Sequence, residues 1–420
     1  MTTNKRRQAV TSLMSGTVVQ VAANASAALL STVVLPAADR GLMVVALAIP
    51  TLISPILTLG TGNALRSILP RSPDSEAMGV VAAYTRLSVA SSVFGALIAA
   101  VLCIPLSYLT DDALRSGPFV LAISVSVCVL VATQQITEAW YSQGKFRIGA
   151  RWAASAAVVG LAGVVLGCLA HASASTLVLL QALFSGASVA ASIVYGRQHG
   201  VLAVGSPARL PYSQLVATGA RSLGHPIGMA LLMRSDRIIL ASVAGPQAVA
   251  TYALAATVAE TVRIGPTAVA QLLTNDIATR RSDLSIVRAQ LGGLAAVTIM
   301  GIPLVVAAHF LFTPVFGDEY AASVGLLAIL MAAEWGFSLF IFAVRGFIGG
   351  GWVSEVSFVG LLAGLGSVPA YLLGARLGDA TGCAWACVAL YTVVGAFATL
   401  RLARKHPTKF DVVAPTGGPQ

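Results

Sequence analysis

The sequence predicts an all-α polytopic membrane protein, with about twelve transmembrane helices in two six-helix lobes around a central cavity. Three observations predict this. Of 420 residues, 57% are apolar and only 10% charged, against about 25% charged in soluble proteins, and the mean hydropathy is +0.84. Apolar stretches of about 20 residues, the length that crosses a hydrocarbon core, recur along the chain. Lysine and arginine divide unequally between the short polar breaks that separate those stretches.

The spans are expected at about 12–35, 42–66, 82–109, 117–140, 149–171, 173–196, 213–243, 248–275, 287–313, 322–348, 352–375 and 379–403. Lys5, Arg6 and Arg7 before the first run imitate a signal peptide, and Ala23-Asn24-Ala25 offers a small-x-small cleavage pattern. The run continues to Leu35, however, so a retained first helix is expected. The second run follows the break from Pro36 to Gly41 and carries Pro50 and Pro55. Asp111-Asp112 separates the third and fourth runs, Gly245-Pro246 the seventh and eighth, and Gly317-Asp318 the ninth and tenth. The longest polar break, Arg197 to Pro211, divides six spans from six. It gives an N-terminal lobe at 1–196, a cytoplasmic linker at 197–211 and a C-terminal lobe at 212–404. A tail at 405–420, rich in Pro, Gly and Thr, is expected to be disordered. Each half opens with a hairpin and has proline in its second helix (Pro50 and Pro55; Pro266), a hydropathy parallel suited to alternating access between lobes.

With the N-terminus inside, the cytoplasmic segments take most of the basic residues, among them Arg66, Arg71, Lys145, Arg147, Arg151, Arg197, Arg209, Arg280, Arg281, Arg288, Arg345, Arg401 and Arg404. The outer loops keep only Arg40, Arg115 and Arg376. That bias supports an even span count and two cytoplasmic termini. It also accounts for the net charge of +10 without a nucleic-acid partner, since no basic stripe interleaved with aromatics occurs. Cys103, Cys128, Cys168, Cys383 and Cys387 all fall within apolar runs and read as small buried hydrophobes. No metal site is expected, because no histidine accompanies Cys383 and Cys387 in sequence.

Charged residues inside the spans are the informative exceptions. Arg234, Asp236 and Arg237 sit in the seventh span, Glu260 and Arg263 in the eighth, and Glu334 in the tenth. Ionisable groups are costly at membrane depth and persist where they face a bundle interior or polar cavity. If the seventh and eighth spans form a hairpin at Gly245-Pro246, Arg234 lies level with Thr257 and Glu260 about 4.5 Å deeper. All lie near the middle of a core about 30 Å thick. Arg234 shares a face with Arg237, and Glu260 with Arg263, through i,i+3 spacing; Asp236 points roughly 200° away from Arg234. Arg234–Glu260 and Asp236–Arg237 could be neutralising pairs that lock helices together. The preferred reading has the arginines lining a wet cavity that holds a phosphate-like anion, to which the planar guanidinium is suited.

Asn24 and Gln20 give the first span a polar middle, which fits either cavity lining or helix–helix hydrogen bonding. His225-Pro226 marks an expected kink with a structural histidine. Glu334 reads as a coupling-ion ligand or a pairing residue, and Tyr252 as an anchor at the outer interface.

The stretch Met233 to Leu240, a short turn, Val249 to Ala255 and then Glu260 resembles the polysaccharide-unit flippases of the multidrug/oligosaccharidyl-lipid/polysaccharide exporter superfamily. There, a seventh helix carrying Asp-Arg precedes a turn, a Tyr-x-x-Ala segment and an acidic residue. The opening helix, Asp39-Arg40-Gly41 and the stretch from Gly60 to Arg66 also resemble that family's start. The resemblance implies export of an oligosaccharide carried on undecaprenyl diphosphate, for cell-surface polysaccharide, by alternating access. The lipid-linked sugar is then the substrate, with membrane lipids and other polysaccharide-assembly proteins as partners. Arg263 and Arg66 match the placement of the family's cavity arginines, and Arg234 and Arg237 extend the same site. Asp236 matches a seventh-helix aspartate that in the lipid II branch belongs to a sodium site; with Glu260 and Glu334 it is a candidate for Na+ or H+ coupling or for charge pairing. No other cofactor is implied.

A multidrug or cation antiporter of the same superfamily is the alternative: the neutral tally of Arg234, Arg237 and Arg263 against Asp236, Glu260 and Glu334 does not exclude it, while the lack of an acidic residue in the first span counts against it. A major-facilitator transporter would need a basic-acidic signature that the segment from Arg66 to Met78 lacks. A membrane glycosyltransferase or polymerase would use Asp111-Asp112 as a metal-binding pair, but no outer loop is large enough to hold a sugar. Solvated loop acids explain that pair better, and no enzyme is expected.

Overall fold

A computed structural model describes residues 3–203, 212–278 and 286–405. The chain forms α1 (Thr3–Val34), α2 (Ala37–Leu57), α3 (Thr61–Ile68), α4 (Asp74–Leu109), α5 (Gly117–Ser142), α6 (Phe146–Leu169) and α7 (Ala174–Gln198). It continues through α8 (Tyr212–Ala220), α9 (Gly224–Thr261), α10 (Ile264–Ala278), α11 (Ile286–Phe316), α12 (Ser323–Gly349) and α13 (Val353–Lys405). Ten of the helical stretches are long and apolar enough to cross a membrane, and phenylalanine and aliphatic side chains such as Phe94, Ile299 and Leu377 stand exposed on them, as lipid contact requires. The segment expected to link the lobes and the C-terminal tail fall largely outside the described residues, as do Arg209, Arg280 and Arg281.

Two of the ten stretches turn back on themselves, which restores twelve crossings. In α9 the reversal is at Gly245, with φ 82° and ψ 173°, a conformation open essentially to glycine alone. Pro246 then starts the return limb. The Tyr252 hydroxyl donates to Asp236 Oδ2 at 2.8 Å, although sixteen residues of straight helix would separate them by about 24 Å. In α13 the break is at Gly378 and Asp379, the latter at φ 47°. There the two limbs come so close that a Cβ on Gly382 would lie 2.0 Å from the Gly374 carbonyl oxygen. With twelve crossings the two chain ends share one face, here called the near face; the Gly245 and Gly378 turns mark the far face.

Three crossings are broken helices where the sequence suggested continuous ones. The second consists of α2 and α3, parted where Leu59 and Gly60 take φ 50° and 62°. The seventh is α8 followed by the first limb of α9, and the eighth is the second limb of α9 followed by α10. His225-Pro226 therefore lies in the first turn of α9, directly after the break between α8 and α9 that bends the seventh crossing there, as expected. Proline is tolerated there because first-turn N–H groups have no intrahelical partner.

The start of α2 is a second correction. The helix begins at Ala37 behind Pro36, so Arg40 belongs to it and is only 3% exposed; it is not a loop residue. The next residue, Gly41, meets the α9 turn, and a Cβ there would lie 1.8 Å from the Pro246 carbonyl oxygen. This contact joins the N-terminal crossings, α1 to α7, to the C-terminal ones at the far face. On the near-face side, Gly60 and Gly219 bring α3 against α8 at comparably short range. Asp111 accepts a hydrogen bond from the Ala113 N–H at 2.8 Å, and Asp112 pairs with Arg115 at 3.1 Å, so these two acids shape a far-face turn.

Candidate functional site

A cavity of about 660 Å³ lies between the two halves, within the roughly 300–1,000 Å³ typical of ligand cavities. The N-terminal half contributes Gln20 and Asn24 of α1, Arg40 of α2 and Glu138 of α5; the C-terminal half contributes Arg234, Arg237 and Glu260 of α9. Tyr141, one residue from the near-face end of α5, also lines it. The cavity thus runs from near that face to the level of the α9 turn.

The α9 hairpin assembles the charges. Arg234 and Arg237 stand one turn apart on the first limb, and Glu260 faces them from the second. Glu260 Oε1 accepts from Arg237 Nη2 at 2.8 Å and from Arg234 Nη1 at 3.3 Å. Arg263 Nη1 lies 3.9 Å from the same oxygen. One carboxylate oxygen therefore faces three guanidinium groups. Arg263, in the break between α9 and α10, turns its Nε and Nη2 to Glu334 of α12, at 2.6 Å each, and its guanidinium lies 4.1 Å from the Phe337 ring centre. That bidentate geometry and the burial of Glu334, 3% exposed, make this the most enclosed ion pair of the set. The Arg234–Glu260 pairing foreseen from hairpin register is present, and the two limbs place it on a cavity wall.

Other candidate residues lie behind the wall. Arg263 and Glu334 do not line the cavity. Arg66 of α3 pairs with Glu138 through Nη2 at 2.7 Å and through a second contact from Nε, with its guanidinium 5.0 Å from the Tyr141 ring centre; Glu138 and Tyr141 reach the cavity in its place. The Asp236–Arg237 side-chain pair considered above does not form. Asp236 Oδ1 accepts the backbone N–H of Arg237 at 2.8 Å, and Oδ2 accepts the Tyr252 hydroxyl. Tyr252 is 1% exposed and is a core residue, not an interface anchor. Its hydroxyl is also 3.2 Å from Cys387 Sγ, while the Tyr371 and Tyr391 hydroxyls both donate to the Leu232 carbonyl, at 2.6 and 3.4 Å. This polar knot closes the interior of the C-terminal half, away from the cavity.

Sequence reasoning passed over Glu138 and Arg40. Glu138 sits near the end of an apolar run, where an acid is easily taken as a boundary residue; its signal was Arg66, a basic residue ending a neighbouring span. Arg40 gave no such signal, because a basic residue between two apolar runs reads as a loop. Among the described residues no group of three His, Cys, Asp or Glu side chains could hold a metal ion.

The twelve crossings, the two halves and the charged cavity between them define an all-α polytopic membrane protein, and its fold is that of solved structures of the MATE type. One similar structure is the multidrug transporter DinF-BH of the MATE type in complex with R6G, at 16% identity and TM-score 0.70, covering 98% of each chain. Another is the lipid II flippase MurJ in an inward closed conformation, at 12% identity and TM-score 0.68, covering 94% of this chain and 87% of that one. A MATE family multidrug resistance transporter in an inward-facing conformation aligns at 17% identity and TM-score 0.60, over 94% and 96%. At such identities the likeness speaks for the fold. The family is established by the sequence itself: residues 7–272 match the profile of the family described as polysaccharide biosynthesis protein, and the chain belongs to that family. No curated protein matches the chain.

Proposed function

We propose that the protein is a flippase that moves an oligosaccharide linked to undecaprenyl diphosphate from the inner to the outer leaflet of a bacterial cell membrane, by alternating access. One observation carries the reading. The cavity wall holds Arg40, Arg234 and Arg237 against Glu138 and Glu260, and Glu138 is already neutralised by Arg66 behind it. The wall therefore presents surplus guanidinium, the group best matched to phosphate oxygens. A cationic cargo would meet repulsion there, which weighs against drug export. Membership of the polysaccharide biosynthesis family fits a sugar-carrying lipid.

In this mechanism the near face is cytoplasmic, as the basic-residue bias expects. The diphosphate enters from the near face and competes with Glu260 for Arg234 and Arg237. The cavity walls have a lower dielectric than bulk solvent, so each released guanidinium interacts with phosphate more strongly than it would in water. Gln20 and Asn24 line the opposite wall with amide groups able to hydrogen-bond sugar hydroxyls, while the prenyl chain stays in lipid. Arg263, held by Glu334, keeps Glu260 in place. No bond is made or broken. Membrane potential acts on the bound diphosphate's charge, and Na+ or H+ coupling is a separable addition.

The test is reconstitution of the full chain in liposomes with a fluorescent undecaprenyl-diphosphate-linked disaccharide. Wild type is expected to move the lipid between leaflets, and the double variant Arg234→Gln, Arg237→Gln to lose at least about tenfold in rate. Transport of a cationic dye such as R6G with no movement of the lipid would sink the reading and favour the antiporter.

A further inference from the structure

Arg40 is the buried arginine that the charge chain leaves out. It is 3% exposed and lines the cavity. Its Nε donates to Thr32 Oγ1 of α1 at 3.1 Å, and its Nη1 has no hydrogen-bond partner. Among the described residues no carboxylate pairs with it, whereas Arg237 pairs with Glu260 and Arg263 with both Glu260 and Glu334. Burying a cation without a counter-charge is costly, so a guanidinium held in this way is poised for an anion the cavity receives.

Its position adds meaning. Gly41 touches Pro246, so Arg40 stands at the level of the α9 turn, at the far end of the cavity and beside the contact that closes the far face. Arg237 is about 12 Å nearer the chain ends along α9, and Arg234 about 16 Å. The unpaired cation and the partly satisfied pair therefore mark two depths of one path. Tyr320, on the turn before α12, is fully buried, its hydroxyl is also without a partner, and it lies within electrostatic range of Arg40 from the other half.

We propose that Arg40 is a second phosphate-binding residue, which receives the substrate's diphosphate at the far end of the cavity after Arg234 and Arg237 have bound it. The inference rests on the flippase reading and adds a release-side contact to it. A phosphate oxygen at the Arg40 guanidinium supplies the missing charge, so arrival of the anion relieves the cost of burying Arg40 next to the contact of Gly41 with Pro246. Coupling between substrate position and opening of the far face follows.

The experiment compares full-length wild type, Arg40→Gln and Arg40→Lys in two assays. The first is movement of the fluorescent lipid in liposomes; the second is binding of soluble inorganic pyrophosphate, followed by tryptophan fluorescence. Glutamine keeps a donor for Thr32 and loses the charge; lysine keeps the charge and loses the planar fork. The expected result is a loss of at least about tenfold in transport for Arg40→Gln, with partial recovery in Arg40→Lys and weaker pyrophosphate binding in the order wild type, Lys, Gln. Transport by Arg40→Gln within about twofold of wild type overturns the proposal, as does an equal loss in both variants with pyrophosphate binding unchanged, because Arg40 would then be only a strut between α1 and α2. If wild type moves no lipid, the flippase reading fails separately. Weakened pyrophosphate binding in Arg40→Gln then still supports an anion site at Arg40, and unchanged binding removes it.

Discussion

In the C-terminal half Arg234, Arg237 and Arg263 are neutralised through a chain of carboxylates, whereas Arg40 of the N-terminal half pairs with none among the described residues. In the first case Glu334, Arg263, Glu260 and the pair Arg234 and Arg237 form a continuous line across α12 and both limbs of α9. In the second, a single guanidinium rests on Thr32. The difference separates two uses of the same side chain. A paired arginine contributes to the architecture and yields to a ligand only in exchange for its carboxylate. An unpaired one is buried at a cost that no carboxylate offsets.

Substitutions can break or sharpen this contrast. The largest effect is expected for Glu334→Gln, which strands Arg263 inside the helix bundle. Breaking one side of a buried pair costs about 3–5 kcal/mol, and the melting temperature of the purified protein should fall accordingly; an unchanged melting temperature would mean that the chain is not structural. Gly41→Ala comes next, because its Cβ meets backbone at Pro246. Overpacking costs about 1–3 kcal/mol, charged here to the far-face-closed state. Cysteine labelling at the far-face turns should show increased accessibility, and labelling equal to wild type would remove Gly41 from the closure. Tyr252→Phe leaves Asp236 Oδ2 without its donor inside the C-terminal half, for about 1–3 kcal/mol, read by chemical or thermal unfolding. If the knot is architectural, lipid transport by the folded fraction should survive. The smallest effect belongs to Asp112→Asn, whose partner Arg115 is half exposed on the far-face turn. Exposed pairs contribute little, so both stability and transport should match wild type, and a clear loss would reopen a role for that acidic pair.

Part of the charged cavity wall is legible in the sequence, and particular residues show why. Arg234 and Glu260 could be matched because both lie on one hairpin, where counting residues from the Gly245-Pro246 turn gives depth. Glu334 could be marked as a buried acid, yet its pairing with Arg263 depends on how α12 packs against the α9–α10 break, and no local count reaches that far. Arg40 was misplaced because the boundary of α2 was drawn at the first strongly apolar residue. The helix in fact begins five residues earlier behind Pro36 and carries its charged first turn into the protein. Asp236 and Tyr252 were assigned to different environments, although the α9 fold brings them into one hydrogen bond.

By itself, the sequence determined that this chain is built of repeated apolar helices long enough to cross a membrane, and that guanidinium and carboxylate groups lie within them. Hydropathy and local periodicity are properties of contiguous residues, so they survive without a fold. Only the tertiary structure decided which of those charges cancel, which reach the cavity and which is left over. Pairing depends on distances of a few ångströms between helices far apart in the chain. Those distances are set by close contacts such as Gly41 on Pro246 and Gly382 on Gly374.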